Sequence, residues 1–160
     1  MQESSISAKE LVQALLGVIG ECFDGAREHG AFLNPDEGGL LALLGGLSAR
    51  QASTPVAGDS VATHALHLSF SLDVFTDWIS GVRDKTYDWE KSWSQNSVDE
   101  QEWRALLDHM AAQAKTLGKA IGNRAPVDPD AAWGAFGALA HTAFHLGAVQ
   151  VKVDVLRNNG

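Results

Sequence analysis

Cysteine is almost absent from this chain, and Cys22 stands alone. No internal disulfide can form, and no thiolate cluster exists for a structural zinc site, so any metal must be held by nitrogen and oxygen ligands. Basic residues are also scarce: 12 Lys and Arg against 20 Asp and Glu give a formal charge of -8. With no basic cluster to offset that balance, a nucleic-acid partner is not expected. No apolar run approaches the ~20 residues needed to cross a bilayer, and Met1 to Ser7 lack a basic region leading into an apolar run. The expectation is a cytoplasmic protein without a membrane partner. Strand-like alternation, internal repeats and low-complexity segments are missing as well. What remains is a chain of 160 residues, 45% hydrophobic, which suffices for one sizeable core and predicts a single domain over residues 1–160.

Helix signals fill most of its length. Ser7-Ala-Lys-Glu10 is a capping box, in which serine and glutamate side chains each satisfy a backbone N–H at a helix start. Leu11, Ala14, Leu15, Val18, Ile19, Cys22, Phe23 and Ala26 follow at helical period, predicting a helix to about His29 with Gly30 as its stop. Cys22 lies in that stripe and reads as a small buried hydrophobe, since no cationic neighbour would lower its pKa. Asn34-Pro35-Asp36-Glu37, followed by Leu40, Leu41, Leu43 and Leu44, reads as a short helix or a pair of turns. A second long helix is predicted from Asp59 or Ser60 to about Ile79, ended by Ser80-Gly81.

Residues 83–96 lack a helical stripe and read as a long loop carrying Tyr87, Trp89 and Trp93. These aromatics either fold over the helices to wall a pocket or plug the end of the core. Ser97-Val-Asp-Glu100 reads as a second capping box, opening a helix with Trp103, Leu106, Leu107, Met110, Ala114, Leu117 and Ile121 on one stripe and Gly122-Asn123 as its stop. Asp128-Pro129 begins a last helix running toward Leu156. Its few charges before Lys152 predict a place in the middle of the packing. Together these elements predict an all-α protein, a four-helix bundle with a short accessory helix in the first connection.

Histidines carry the chemical signal. His141 and His145, four apart, fall on one face of the last helix and can turn two imidazoles toward one cation. Gly134, Gly137, Ala138 and Ala148 share that face. A face serving only to fill a core favours Leu, Ile or Phe, whereas small residues let a neighbouring helix approach or leave space for a ligand. On the second long helix His67 shares a narrow face with Ser71, Val74 and Trp78, with His64 to its side. Taken alone, His67 fits a core histidine bonded to a carbonyl or hydroxyl. Taken with His141 and His145, it completes a three-nitrogen set with an open coordination position, the arrangement of a catalytic rather than a closed structural site. His109 falls beside its helix's stripe and reads as a boundary or exposed residue.

Ser60-Val-Ala-Thr-His-Ala-Leu-His67-Leu together with His141-Thr-Ala-Phe-His145-Leu-Gly147 resembles the DinB/YfiT-like superfamily of four-helix metalloproteins, the match covering residues 60–80 and 133–150. The resemblance implies a divalent metal, zinc or nickel, held by His67, His141 and His145. It leaves His64 as a proton carrier or supporting group, with His64 and His67 exchangeable in these roles. Gln150 follows His-Leu-Gly at a spacing that departs from the common form, and its role stays open. Family activities imply a metal-dependent thiol S-transferase or hydrolase acting on a small molecule, with a low-molecular-weight thiol as co-substrate and a homodimer as the assembly. The alternative is a non-catalytic stress-response or binding protein whose metal is structural or vestigial.

Overall fold

Ser7 caps the first helix in the computed structural model of the protein, which describes residues 5–158. The N-terminal residues Met1–Ser4, on which part of the leader reading falls, and the end of the polar tail lie outside the described residues. In α1 (Ala8–Asp24) the Ser7–Glu10 capping box is complete. The helix ends earlier than its apolar stripe predicts. Gly25 turns out of it with φ 90°, a left-handed region that a side chain strains to occupy, and a Cβ there would meet the Glu37 carbonyl oxygen at 2.8 Å. The following segment folds back onto Glu21, whose carboxylate accepts the N–H groups of Ala31, Phe32 and Leu33 at 2.7, 3.0 and 2.7 Å. Burial pushes this carboxyl's pKa up, but the three donors outweigh burial and hold it below the ordinary glutamate value.

The Asn34–Glu37 signal makes a turn rather than a helix start: Glu37 N–H donates to the Asn34 carbonyl, and Asn34 Nδ2 donates to Glu37 Oε1. Two short helices occupy the first connection, α2 (Leu40–Gly45) and α3 (Ala49–Ala52). Ser60 then caps α4 (Val61–Ser80) by accepting from Thr63 N–H, and Gly81 closes it in the left-handed conformation. A 3-10 turn at Lys91–Trp93 interrupts the long loop. The cap of α5 (Glu100–Arg124) is Asp99 with Glu102, two residues beyond the predicted box, and the helix runs through Gly122. Asp128 accepts from Asp130 and Ala131 N–H at the start of α6 (Pro129–Asn158).

The fold is all-α, with six α-helices and no strand among the described residues. α4 packs most extensively on α5 and α6, and α1 covers the seam between α5 and α6. Leu15, Ile19, Leu68, Leu72, Met110, Leu117, Ile121, Leu146 and Val149 fill the shared core. Each such side chain contributes roughly 1.5–3 kcal/mol through burial, and truncating Leu117 to alanine would cost about 2–5 kcal/mol. Trp103 Nε1 donates to the Leu47 carbonyl (3.0 Å), tying α5 to the first connection. Lys152 is buried and donates to the carbonyls of Val56 and Asp59, tying the same connection to α6. α6 is less enclosed than its composition predicts: it is buried toward α4 and α1, but Trp133, Phe136, Phe144 and Val151 are exposed along its outer side. No helix among the described residues is long and apolar enough to cross a membrane.

Candidate metal centre

The close approach of α4 and α6 brings the histidines together. A Cβ on Gly134 would lie 3.0 Å from Ile79 Cγ1, and one on Gly137 would lie 3.3 Å from Phe75 Cε1. The small face of α6 is therefore an approach surface for α4. One and two turns beyond it, His141 and His145 meet His67, with ring centroids 5.2 Å (His67–His141), 5.0 Å (His67–His145) and 4.5 Å (His141–His145) apart. One nitrogen from each of the three lies within 4.8 Å of the others. Metal–nitrogen bonds of about 2.0–2.1 Å at tetrahedral angles put such nitrogens about 3.3–3.4 Å apart.

Hydrogen bonding supports the fit. His141 Nε2 is buried without a partner among the described residues, a costly condition that a cation would relieve. His67 Nδ1 lies 2.7 Å from Ser92 Oγ, and His145 Nδ1 lies 3.0 Å from His64 Nδ1. Both Nδ1 atoms are thus engaged, which leaves Nε2 of each ring as the nitrogen free to ligate. His64 sits behind His145 and outside the three-nitrogen group. For neutral His145 to offer its Nε2 lone pair, its proton must sit on Nδ1 and be donated to His64, whose own proton is then on Nε2.

Electrostatics keep these rings neutral. Burial, then the proximity of His141 and His64, lowers the His67 pKa to about 4. Burial, then His141, His67 and His64, lowers that of His145 to about 3. His141 is lowered by burial. His64 is lowered by burial and then by the Lys152 ammonium, with Asp59 acting in the opposite direction. Neutral imidazoles are the ligating form, so the lone pairs needed for a cation are present at neutral pH.

Aromatic residues from the 83–96 loop cover the centre. Trp93 stacks on His67 with ring centroids 4.0 Å apart and 24° between planes, and also contacts His64 and His145. Trp89 contacts His67 and His141, while Phe75 flanks His141 from α4. Tyr87, the third aromatic expected to wall a pocket, turns away: its hydroxyl donates to Asp77 Oδ2 (2.9 Å) and its ring packs on Phe70 and Trp78. Gln150 lies in a different groove, with Asp36, Glu37, Asp154 and Arg157. His109 is exposed, as its position beside the stripe predicts.

Ser92 and Lys152 are the site neighbours that sequence reasoning missed. Nothing in the order Trp89-Glu-Lys-Ser92-Trp93 marks the serine as a histidine partner, and a lysine near a helix end ordinarily reads as solvated. No protein-family model, curated protein or solved structure matches this chain.

Proposed function

We propose that this chain is a DinB/YfiT-like four-helix metalloprotein that binds a divalent ion, zinc or nickel, through His67, His141 and His145, and that it acts on a small molecule with a low-molecular-weight thiol or water as nucleophile. The observation that carries the reading is a buried group of three neutral imidazoles from two helices, one with its Nε2 unpartnered. A divalent ion held by three uncharged nitrogens keeps its full charge and an open position, where it lowers the pKa of a bound water or thiol. Within the chain, His64 orients His145 by accepting its Nδ1 hydrogen, and its own Nε2–H is the nearby group able to donate a proton, since no Asp or Glu belongs to the three-residue group. Trp89, Trp93 and Phe75 exclude water from the rings and offer an apolar wall to substrate. The test is elemental analysis of the purified protein, with thiol-dependent loss of a small electrophile followed before and after chelation. Turnover indifferent to chelator and to His141→Ala would remove this mechanism.

The same reading takes the protein as a homodimer joined through the outer face of α6. Trp133 is 82%, Phe144 69% and Phe136 49% exposed. At ~150–250 Å² per aromatic side chain, their exposed parts come to roughly 400 Å², about half of the ~800 Å² per partner in a standard interface. The segment 131–151 contains no Asp, Glu, Lys or Arg, so two chains of charge -8 can meet there without opposing like charges. Large Phe136 and Phe144 alternate with small Ala140 and Gly147 along the stripe, a pattern complementary to itself in an antiparallel helix pair. Sedimentation equilibrium of the wild-type chain and of Trp133→Ser/Phe144→Ser tests it; a monomeric wild type at tens of micromolar would overturn it.

The alternative, a non-catalytic binding protein, draws support from the same exposed face and from the cover over the rings. Chelation separates the readings: loss of the fold on metal removal favours a structural ion, whereas an apo fold that survives favours the open centre.

A further inference from the structure

Among the described residues, one polar bond fastens the middle of the covering loop to the helices. At its near end Tyr87 Oη and Lys85 Nζ donate to Asp77 Oδ2 at 2.9 and 2.7 Å. At its far end Ser60 Oγ donates to the Asn96 carbonyl (2.8 Å), and Val98 N–H donates to Ser53 Oγ (3.0 Å). Between these anchors the bonds are internal, including Lys91 N–H to Asp88 Oδ1 (2.9 Å) and Ser94 Oγ to the Lys91 carbonyl (2.7 Å). Over residues 88–95, Ser92 is the residue that hydrogen-bonds to a helix, through His67.

The single hydroxyl proton of Ser92 decides the tautomer of His67. Ser92 Oγ lies 2.6 Å from the Trp89 carbonyl oxygen, which can only accept. Two oxygens that close repel unless a proton lies between them, so the hydroxyl donates to Trp89. Ser92 Oγ then has only lone pairs to offer His67 Nδ1 at 2.7 Å, and Nδ1 must carry the ring hydrogen. The lone pair of neutral His67 is left on Nε2.

We propose that Ser92 is a positioning residue and a latch: while residues 88–95 lie closed over the centre it holds His67 as the metal-binding tautomer, so that metal binding and closure of this turn strengthen one another. The proposal rests on the metal-binding reading above. A cation on Nε2 withdraws density from the ring and makes the Nδ1 hydrogen a stronger donor to Ser92. By linkage, whatever holds the turn down raises metal affinity by the same factor. Because Trp93 or Trp89 contacts all four clustered imidazoles, lifting the turn uncovers them together. Metal retention is thereby set against access, since a molecule entering past the turn breaks the bond that orients His67.

The experiment is a zinc titration of the whole chain against a chromophoric chelator, paired with hydrogen exchange of the 88–95 amides with and without zinc. Zinc should slow exchange across the turn in wild type by about tenfold or more, while Ser92→Ala should bind zinc about 10–100-fold more weakly and lose that protection. Ser92→Thr, which keeps the hydroxyl, should restore both. A serine with only a structural role would loosen the zinc-free turn without shifting zinc affinity. Exchange indifferent to zinc in the wild-type turn overturns the latch without requiring any variant to fold, and so does unchanged affinity in folded Ser92→Ala. A wild-type chain that takes up neither zinc nor nickel overturns the metal reading together with the latch; bound metal with an indifferent turn overturns the latch alone.

Discussion

The two sides of α6 obey different rules although their sequences interleave. Toward α4 the helix presents Gly134 and Gly137, where an added Cβ would crowd α4, together with half-buried His141 and buried His145. Away from it the helix presents Trp133, Phe136, Phe144 and Val151, large apolar residues left in solvent. Composition alone would assign the faces the other way, with the aromatics inside. The inversion teaches that the inner face is selected for helix approach and for the lone pairs it delivers, while the outer face holds apolar area that the core does not use.

Removing the inner imidazoles should give the largest effect. His141→Ala combined with His145→Ala should weaken zinc binding at least about 1,000-fold, close to 4 kcal/mol, with helix content in the far-ultraviolet unchanged. The same pair of changes should leave the proposed self-association through the outer face unaffected. Loss of dimer in this variant would mean that the two faces are not independent.

Acid should act on the inner face next. In the metal-free protein the folded pKa values of His67 and His145, about 4 and about 3, lie below the ordinary histidine value of 6.5. Between those limits the unfolded chain binds protons that the folded chain refuses, so stability falls as pH drops below about 6.5, and the loss saturates only near the folded values. At about 1.4 kcal/mol per pKa unit for each of the two rings, we expect a loss of about 4 kcal/mol between pH 7 and pH 5, read by urea unfolding. Glu21 and Asp77, whose pKa values are lowered, act in the same direction but only at still lower pH. A flat profile from pH 7 to pH 5 would mean that the rings are not held neutral.

Much of this was legible in the chain, for physical reasons that also explain the gaps. Ser60 and Asp128-Pro129 marked the starts of α4 and α6 because caps are local chemistry. His141 and His145 could be paired because helical period fixes which side chains share a face, whereas His67, on another helix, joined them through the family resemblance. Other features depend on long-range contacts. The end of α1 at Asp24 depends on Glu21 gathering N–H groups from residues 31–33, which no short window contains. The place of His64 behind His145 and the bond from Ser92 to His67 join residues 81 and 25 positions apart. Even the small residues of α6 left two readings open, and only the positions of Ile79 and Phe75 decide for close packing.

Two glycines of α6 provide a smaller contrast of opposite sign. Gly137→Val would drive its methyl groups past the 3.3 Å that already separates a Cβ from Phe75; overpacking of this kind costs about 1–3 kcal/mol and would spread the histidines, weakening zinc binding as well. At Gly147 an added methyl group would meet nothing within 4 Å, so Gly147→Ala should stabilise the chain by up to about 1 kcal/mol through helix propensity. Thermal melts of both variants check the pair, and a destabilised Gly147→Ala would show that the outer face tolerates no added volume.

The smallest effect on folding should come from the largest side chain on α6. Trp133 is 82% exposed, so Trp133→Ser removes little area that folding buries. For the monomer, measured at submicromolar concentration where the proposed dimer would be dissociated, the change in unfolding free energy should stay within about 0.5 kcal/mol. At higher concentration the wild type should gain stability with concentration, because association binds only the folded form, and Trp133→Ser should lose that dependence. The two concentration regimes separate what Trp133 contributes to its own chain from what it contributes to a second copy. If Trp133→Ser instead destabilises the dilute monomer by more than about 1 kcal/mol, the outer face belongs to the fold after all, and the contrast between the two sides of α6 reduces to a difference in exposure without a difference in role.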